Sequence, residues 1–263
     1  MPIYQDQMEQ SISIPEWPQR IVSLVPSQTE LLHYWGLGDR VVGITKFCIH
    51  PEEWYRNKTR IGGTKTINLE KIAALEPDLI IGNKEENTKE DIEALQQLYP
   101  VWMSDIYTLE DVYGMMEQLG IIVGVSNKAR ALIQQLRGAM GELSSNLPNG
   151  LKVAYFIWRD PWMVAGTNTF IHHLLTLAGF TNVFEAQERY PVIPLEELAI
   201  AQPDAILLSS EPYPFKTKHQ AELSALCPDA RIELVDGELF SWYGSRLLHT
   251  ANYIQKLQQK LKS

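Results

Sequence analysis

The chain has 263 residues, with 23 Lys and Arg against 32 Asp and Glu, a formal net charge of −9, and 45% hydrophobic and 21% charged residues. This is the composition of a globular protein long enough to bury a core, and its acidic balance with scattered basic residues argues against nucleic acid, which is bound through clustered Lys and Arg. Two cysteines, Cys48 and Cys227, with no CxxC pair between them exclude a disulfide framework, a zinc ribbon and a redox motif.

In chain order, the first ten residues lack the basic and apolar regions of a secretory signal, and no window reaches the apolar length of a membrane span. The compartment is therefore left open. Residues 1–19, with Pro15 and Pro18, read as an extended arm. Ile21–Val25 is a short buried strand. The helix that follows is expected to be capped by Ser27, with Glu30 completing a capping box, and to stop at Gly36. A second strand covers 40–44. A helix at 69–76, a strand at 78–82, a helix near 88–97, a strand near 100–103 and a helix near 108–119 come next. Strands alternating with helices predict an α/β fold with mostly parallel sheets covered on both faces.

The longest helical pattern follows. Val125, Ala129, Leu132, Leu136, Met140, Leu143 and Leu147 recur at spacings of three and four over about 126–146, and Pro148-Asn149-Gly150 ends the run. Beyond it a strand at 153–158, a helix at 170–177 capped near Thr169, strands near 204–208 and 231–235, and a terminal helix at 246–261 restart the same order.

The chain also carries a weak copy of itself. Residues 68–81 and 194–207 align without gaps and share Leu69/Leu195, Glu70/Glu196, Ala73/Ala199, Pro77/Pro203, Asp78/Asp204 and Ile80/Ile206. In both, a short amphipathic helix runs into a Pro-Asp turn and then an apolar strand. The repeat predicts two similarly built lobes, 1–124 and 148–263, joined by a connecting helix at 125–147, with a cleft between the lobes as the seat of function.

In open parallel sheets ligands bind beyond the carboxyl ends of the strands. The loops expected there are rich in aromatic residues: Phe47 and His50 in the first lobe, then Trp158, Arg159, Trp162 and Tyr190, and finally Trp242, Tyr243 and Arg246. Aromatic faces with a few fixed polar groups suit a large planar or macrocyclic ligand, and each ring could equally anchor its own loop. No phosphate-binding loop, nucleophile elbow or zinc-protease motif is present. His172 and His173 are neighbours in a helix and cannot both face one site. Glu70 and Glu196 hold matching places in the first turn of the repeated helices, where an acid complements the helix dipole or offers a carboxylate to a partner's arginine.

The run from Pro15 through Arg20-Ile-Val-Ser-Leu to Thr29-Glu30, the Val-Val-Gly-Ile strand, Asn68-Leu-Glu through Pro77-Asp78 and the long central helix together resemble the substrate-binding proteins of ABC importers for cobalamin, iron–siderophores and haem, over about residues 15–260. The resemblance implies two Rossmann-like lobes joined by one long α-helix, a non-enzymatic function, and a small-molecule metal chelate or corrinoid held between the lobes. It also implies a periplasmic or membrane-anchored setting and docking to an ABC permease through Glu70 and Glu196. No resident cofactor or protein-bound metal is expected, and the chain is expected to act as a monomer. By the same resemblance, Thr64 and Asn83 are a departure: they stand about where the cobalamin receptors are expected to offer aromatic contacts. The alternative is an enzyme on the same scaffold, such as a chelatase or metal-cluster protein, with Cys48, His50 and Glu53 as its residues.

Overall fold

The structure, a computed structural model, describes residues 1–145 and 150–262. It divides into two compact units: residues 1–106, 110–134 and 243–246 form one, and 107–109, 135–242 and 247–263 form the other.

The first unit opens with strands β1 (Ile3–Gln5) and β2 (Ser11–Ser13), an antiparallel hairpin where the prolines had suggested an extended arm. Its turn is built on Asp6, whose carboxylate accepts from the amides of Met8 and Gln10 at 2.9 and 2.8 Å. An acid able to satisfy its own turn in this way offsets the weak strand pattern around it. There follow β3 (Ile21–Ser23), α1 (Pro26–Tyr34), β4 (Val41–Ile44), α2 (Glu52–Asn57), β5 (Thr59–Arg60), α3 (Leu69–Ala74), β6 (Leu79–Asn83), α4 (Lys89–Gln96) and β7 (Val101–Ser104). The five strands from β3 to β7 form a wholly parallel sheet in the order β5-β4-β3-β6-β7, so the chain reverses its direction of travel between β3 and β6. Val22, Leu24, Ile61, Ile72, Ile80 and Val101 pack one core.

The expected capping box on α1 does not form. Pro26 is the first helical residue and Val25 the N-cap, with no side-chain cap. Proline at that position presets the helical φ and needs no amide partner. Glu30, cast as the second half of the box, is instead committed to Arg246.

Helix α5 (Leu109–Ile122) precedes α6 (Ser126–Ser145), whose buried stripe is Ala129, Leu132, Leu136, Met140 and Leu143. Twenty residues at 1.5 Å each give a helix of about 30 Å. The expected stop at Pro148-Asn149 lies outside the described residues. Along α6 the chain leaves the first unit after Gln134 and enters the second at Gln135.

The second unit contains β8 (Lys152–Trp158), β9 (Met163–Val164), α7 (Phe170–Leu177), β10 (Thr181–Asn182), α8 (Leu195–Ala201), β11 (Ala205–Ser209), α9 (Thr217–Ser224), β12 (Arg231–Val235), α10 (Glu238–Ser241) and α11 (Leu247–Lys262). Its sheet runs β10-β8-β11-β12 in parallel, with β9 antiparallel on β8. The reversal point here falls between β8 and β11. Thr169 caps α7 as expected, accepting from the His172 amide.

The internal repeat has a structural cause. The Asp78 carboxylate accepts from the amides of Gln19 and Arg20, both at 2.7 Å, just before β3. The Asp204 carboxylate does the same for the amide of Lys152 at the start of β8, again at 2.7 Å. In each unit the aspartate after the buried proline thus ties one central strand to the entry of the next.

Candidate ligand-binding site

Ligands collect where a parallel sheet reverses its order, beyond the carboxyl ends of the strands on either side. In the second unit the loops after β8 and β11 meet there, and they are aromatic. Trp162 packs edge-on to Phe156 with centroids 5.4 Å apart and stacks on Phe215 at 6.1 Å. Trp158, 39% exposed, stands against Tyr213 at 5.6 Å, and Tyr213 against Phe215 at 4.8 Å. Arg159 lies over the Trp162 ring at 5.4 Å and makes a two-pronged pair with Glu222, 3.1 Å from Nε and 3.0 Å from Nη2. Its charge is therefore already matched, and it acts as a brace for the tryptophan.

The residues that complete this cluster were missing from the expected set: Tyr213, Phe215, His219 and Glu222. His219 is buried, and its Nδ1 accepts from the Lys216 amide at 2.9 Å, closing the first turn of α9. Burial, with Lys218 and Arg159 nearby, pushes its imidazole pKa down and keeps the accepting neutral ring. The available signal was composition alone, two aromatic residues set among prolines in the loop Glu211-Pro-Tyr-Pro-Phe215.

Tyr190 belongs to the same unit. Arg189 lies 5.6 Å over its ring and 5.5 Å over that of Tyr107. The segment before Tyr190 is held by Gly166 and Thr167, whose amides donate to Arg189 and Gln187 oxygens at 2.8 and 2.7 Å. A Cβ on Gly166 would sit 2.1 Å from the Gln187 carbonyl oxygen, which is backbone and cannot turn aside. Gly166→Ala is expected to cost about 3 kcal/mol, read from urea unfolding; a change within about 0.5 kcal/mol would mean that the segment yields freely.

Trp242 is buried at the end of α10. The next four residues belong to the first unit, although they lie late in the chain. There Arg246 pairs with Glu30 of α1 through two contacts of 2.9 Å. Gly244, at φ 90°, lies against Leu31. Tyr243 is buried among the hydroxyls of Ser27 and Ser104; burial pushes its phenol pKa up, and those hydroxyls pull against the shift. In the same unit Phe47 is half exposed beneath the Lys46 ammonium, and His50 precedes α2.

The reversal point of the first unit is polar. Gln28 donates to Ser104 Oγ at 2.7 Å, and Asn83 Nδ2 donates to the same hydroxyl at 3.0 Å. Asn83 Oδ1 accepts from the amides of Glu85 and Glu86, at 2.9 and 3.1 Å. Asn87 links the Asn83 amide to the Thr64 carbonyl. Thr64 and Asn83 are 8% and 2% exposed. Asn83 thus braces its loop through its side chain, while Thr64 takes part through its backbone carbonyl, and Gln28 Oε1 is left without a partner among the described residues.

His172 and His173 diverge as expected: Nδ1 of the first faces Asn182, while Nε2 of the second accepts from the Leu109 amide at 3.2 Å. Cys48 is fully buried with Thr29 and Thr45 hydroxyls 3.1 Å from its sulfur, and burial pushes its thiol pKa up. This keeps it a thiol and a poor nucleophile or metal ligand. Among the described residues no three His, Cys, Asp or Glu side chains are grouped to hold a metal ion. No helix among them is long and apolar enough to cross a membrane.

Two parallel α/β units reached through one long helix, with aromatic loops past the strand ends, are the build of a two-lobed binding protein. Residues 21–225 match the family described as periplasmic binding protein, and the chain belongs to it. It is 27% identical over 213 residues to an uncharacterized ABC transporter substrate-binding lipoprotein, YvrC, of Bacillus subtilis (strain 168), covering 77% of this chain and 67% of that one. It is also 27% identical over 195 residues to the vitamin B12-binding protein of Vibrio campbellii, covering 73% and 70%. The crystal structure of the periplasmic vitamin B12 binding protein BtuF of Vibrio cholerae superposes with a TM-score of 0.78 at 25% identity, over 95% of this chain and all of that one. These relatives are binding proteins, and the chain is a binding protein rather than an enzyme. The alternative built on Cys48, His50 and Glu53 falls with that finding.

Proposed function

We propose that the chain captures a metal-containing macrocycle or chelate, of the corrinoid, haem or ferric-siderophore class, in an aromatic inter-lobe cleft and delivers it to an ABC importer. The carrying observation is the ring cluster of Trp158, Trp162, Tyr213 and Phe215 past the ends of β8 and β11. Vitamin B12-binding relatives that align with most of the chain support the same ligand class. Phe47, His50, Arg159, Tyr190, Trp242, Tyr243 and Arg246 complete the proposed ligand set, and any metal arrives as cargo within the ligand. Glu70 and Glu196, exposed in the first turns of α3 and α8, are the proposed contacts to the permease.

Tryptophan-fluorescence titration against cyanocobalamin, cobinamide, haem and a set of ferric siderophores tests the reading. One class is expected to quench saturably at sub-micromolar concentration. Failure of the whole panel would overturn it. Trp158→Ala and Trp162→Ala are each expected to weaken that binding by about 1–3 kcal/mol. Unchanged affinity in both would mean that the ligand lies elsewhere.

A further inference from the structure

Past the ends of β11 and β12 a carboxylate has been drawn inside the fold. Glu211 follows Ser209 and Ser210 in the loop after β11. The Ser241 hydroxyl at the end of α10 donates to its Oε1 at 2.8 Å, and the Trp242 side chain donates to it as well. The loop beneath is built to admit it. A Cβ on Gly237 would stand 2.7 Å from Glu211 Cγ and 2.3 Å from Ser209 Oγ, so only glycine lets α10 come this close. The Gly237 amide donates to Ser210 Oγ at 2.9 Å, and Tyr155, from β8, donates to Ser209 Oγ at 3.2 Å. The Asp236 amide donates to Tyr253 of α11 at 2.8 Å.

We propose that Glu211 is a positioning residue for Trp242: by accepting from the Ser241 hydroxyl and the Trp242 indole N–H, its carboxylate fixes where that ring stands for the ligand. The importance of the ring rests on the ligand-binding reading above; the hold itself does not. Charge-assisted bonds of this kind are about twice as strong as neutral ones, and protonation removes the charge. The titratable groups facing Glu211 are Asp236 and Glu238 of the β12–α10 segment and Tyr155 of β8; the two acids share its sign. Burial first, and then those acids, push the Glu211 pKa above the ordinary 4.5, against the pull of the Ser241 and Trp242 hydrogen bonds. The charge-assisted part of the hold on Trp242 is thus present above that raised pKa and is lost as pH falls through it.

Indole N–H resonances of ¹⁵N-labelled full-length protein test this without any ligand. The Trp242 resonance is assigned by its disappearance in Trp242→Phe. In the wild type it is expected to titrate with a midpoint above 4.5, while the other six indoles keep their positions. Glu211→Gln keeps an acceptor and loses the charge, so the resonance should stay ordered and stop titrating. Glu211→Ala should speed exchange of that N–H with water at least about ten-fold. A Glu211→Gln protein whose Trp242 signal titrates as in the wild type would overturn the assignment, as would unchanged exchange in Glu211→Ala. Should the alanine variant fail to fold, the glutamine comparison decides alone. A ligand panel that shows no binding would sink the transport reading and leave these resonances where they are.

Discussion

The double variant Glu70→Ala/Glu196→Ala is expected to lose import almost completely while keeping its ligand affinity and its fold. Both carboxylates are exposed, and both sit in the first turn of a short helix. Removing an acid from such a position costs about 0.3–1 kcal/mol through the helix dipole, too little to unfold a domain. Neither residue belongs to the ring cluster past β8 and β11, so ligand capture should be untouched. Uptake of labelled ligand by cells or proteoliposomes carrying the permease, set beside fluorescence affinity, separates the two steps. Uptake at the wild-type rate would remove these glutamates from the docking surface and return them to a local role in α3 and α8.

Arg246→Met is expected to cost about 2–3 kcal/mol of stability, most of it recovered in the Glu30→Gln/Arg246→Met double variant. The two side chains keep only 15% and 22% of their exposure and meet through two contacts of 2.9 Å. The methionine would fill much of the volume, yet Glu30 would keep its charge in a place where water reaches poorly. Breaking one side of a pair costs more than removing both, because the survivor is left without compensation. Urea unfolding of the single and double variants measures the difference. A single-variant loss below about 1 kcal/mol would class the pair with exposed ion pairs that add little.

Much of the architecture could be read before the structure. The repeat around Pro77-Asp78 and Pro203-Asp204 was visible because the same clamp, an aspartate tied to the entry of a central strand, recurs in both units. The α6 stripe was visible because its buried residues are all apolar and fall at helical spacing. Helix α9 was not visible. Its buried positions are His219 and Leu223, and its first turn is closed by a histidine where a glutamate or glutamine would have advertised it. Helix α2 was missed for a related reason: six residues with Trp54 as the one buried side chain carry no period. At the site, aromatic composition marked the loops of the second unit. It could not show that Arg159 and Arg246 are each neutralised by a glutamate distant in sequence, since such pairs depend on how loops return. Nor could it show that Asn83, with Gln28, Ser104 and the Thr64 carbonyl, builds a polar network at the reversal point of the first unit.

Tyr243–Arg246 belongs to the first unit although nearly all of that unit precedes residue 135. Neither half of this protein is therefore a continuous stretch of chain. A gene fragment ending inside α6 would encode Glu30 without Arg246 and α1 without the Gly244 turn that seats on Leu31. Grafting the amino-terminal half of one relative onto the carboxyl-terminal half of another would join a four-residue piece of one parent to the domain of the other. Successful chimaeras should be those that carry residues 243–246 along with the amino-terminal parent, which makes this short segment the unit of exchange that a simple cut in the middle of the chain would overlook.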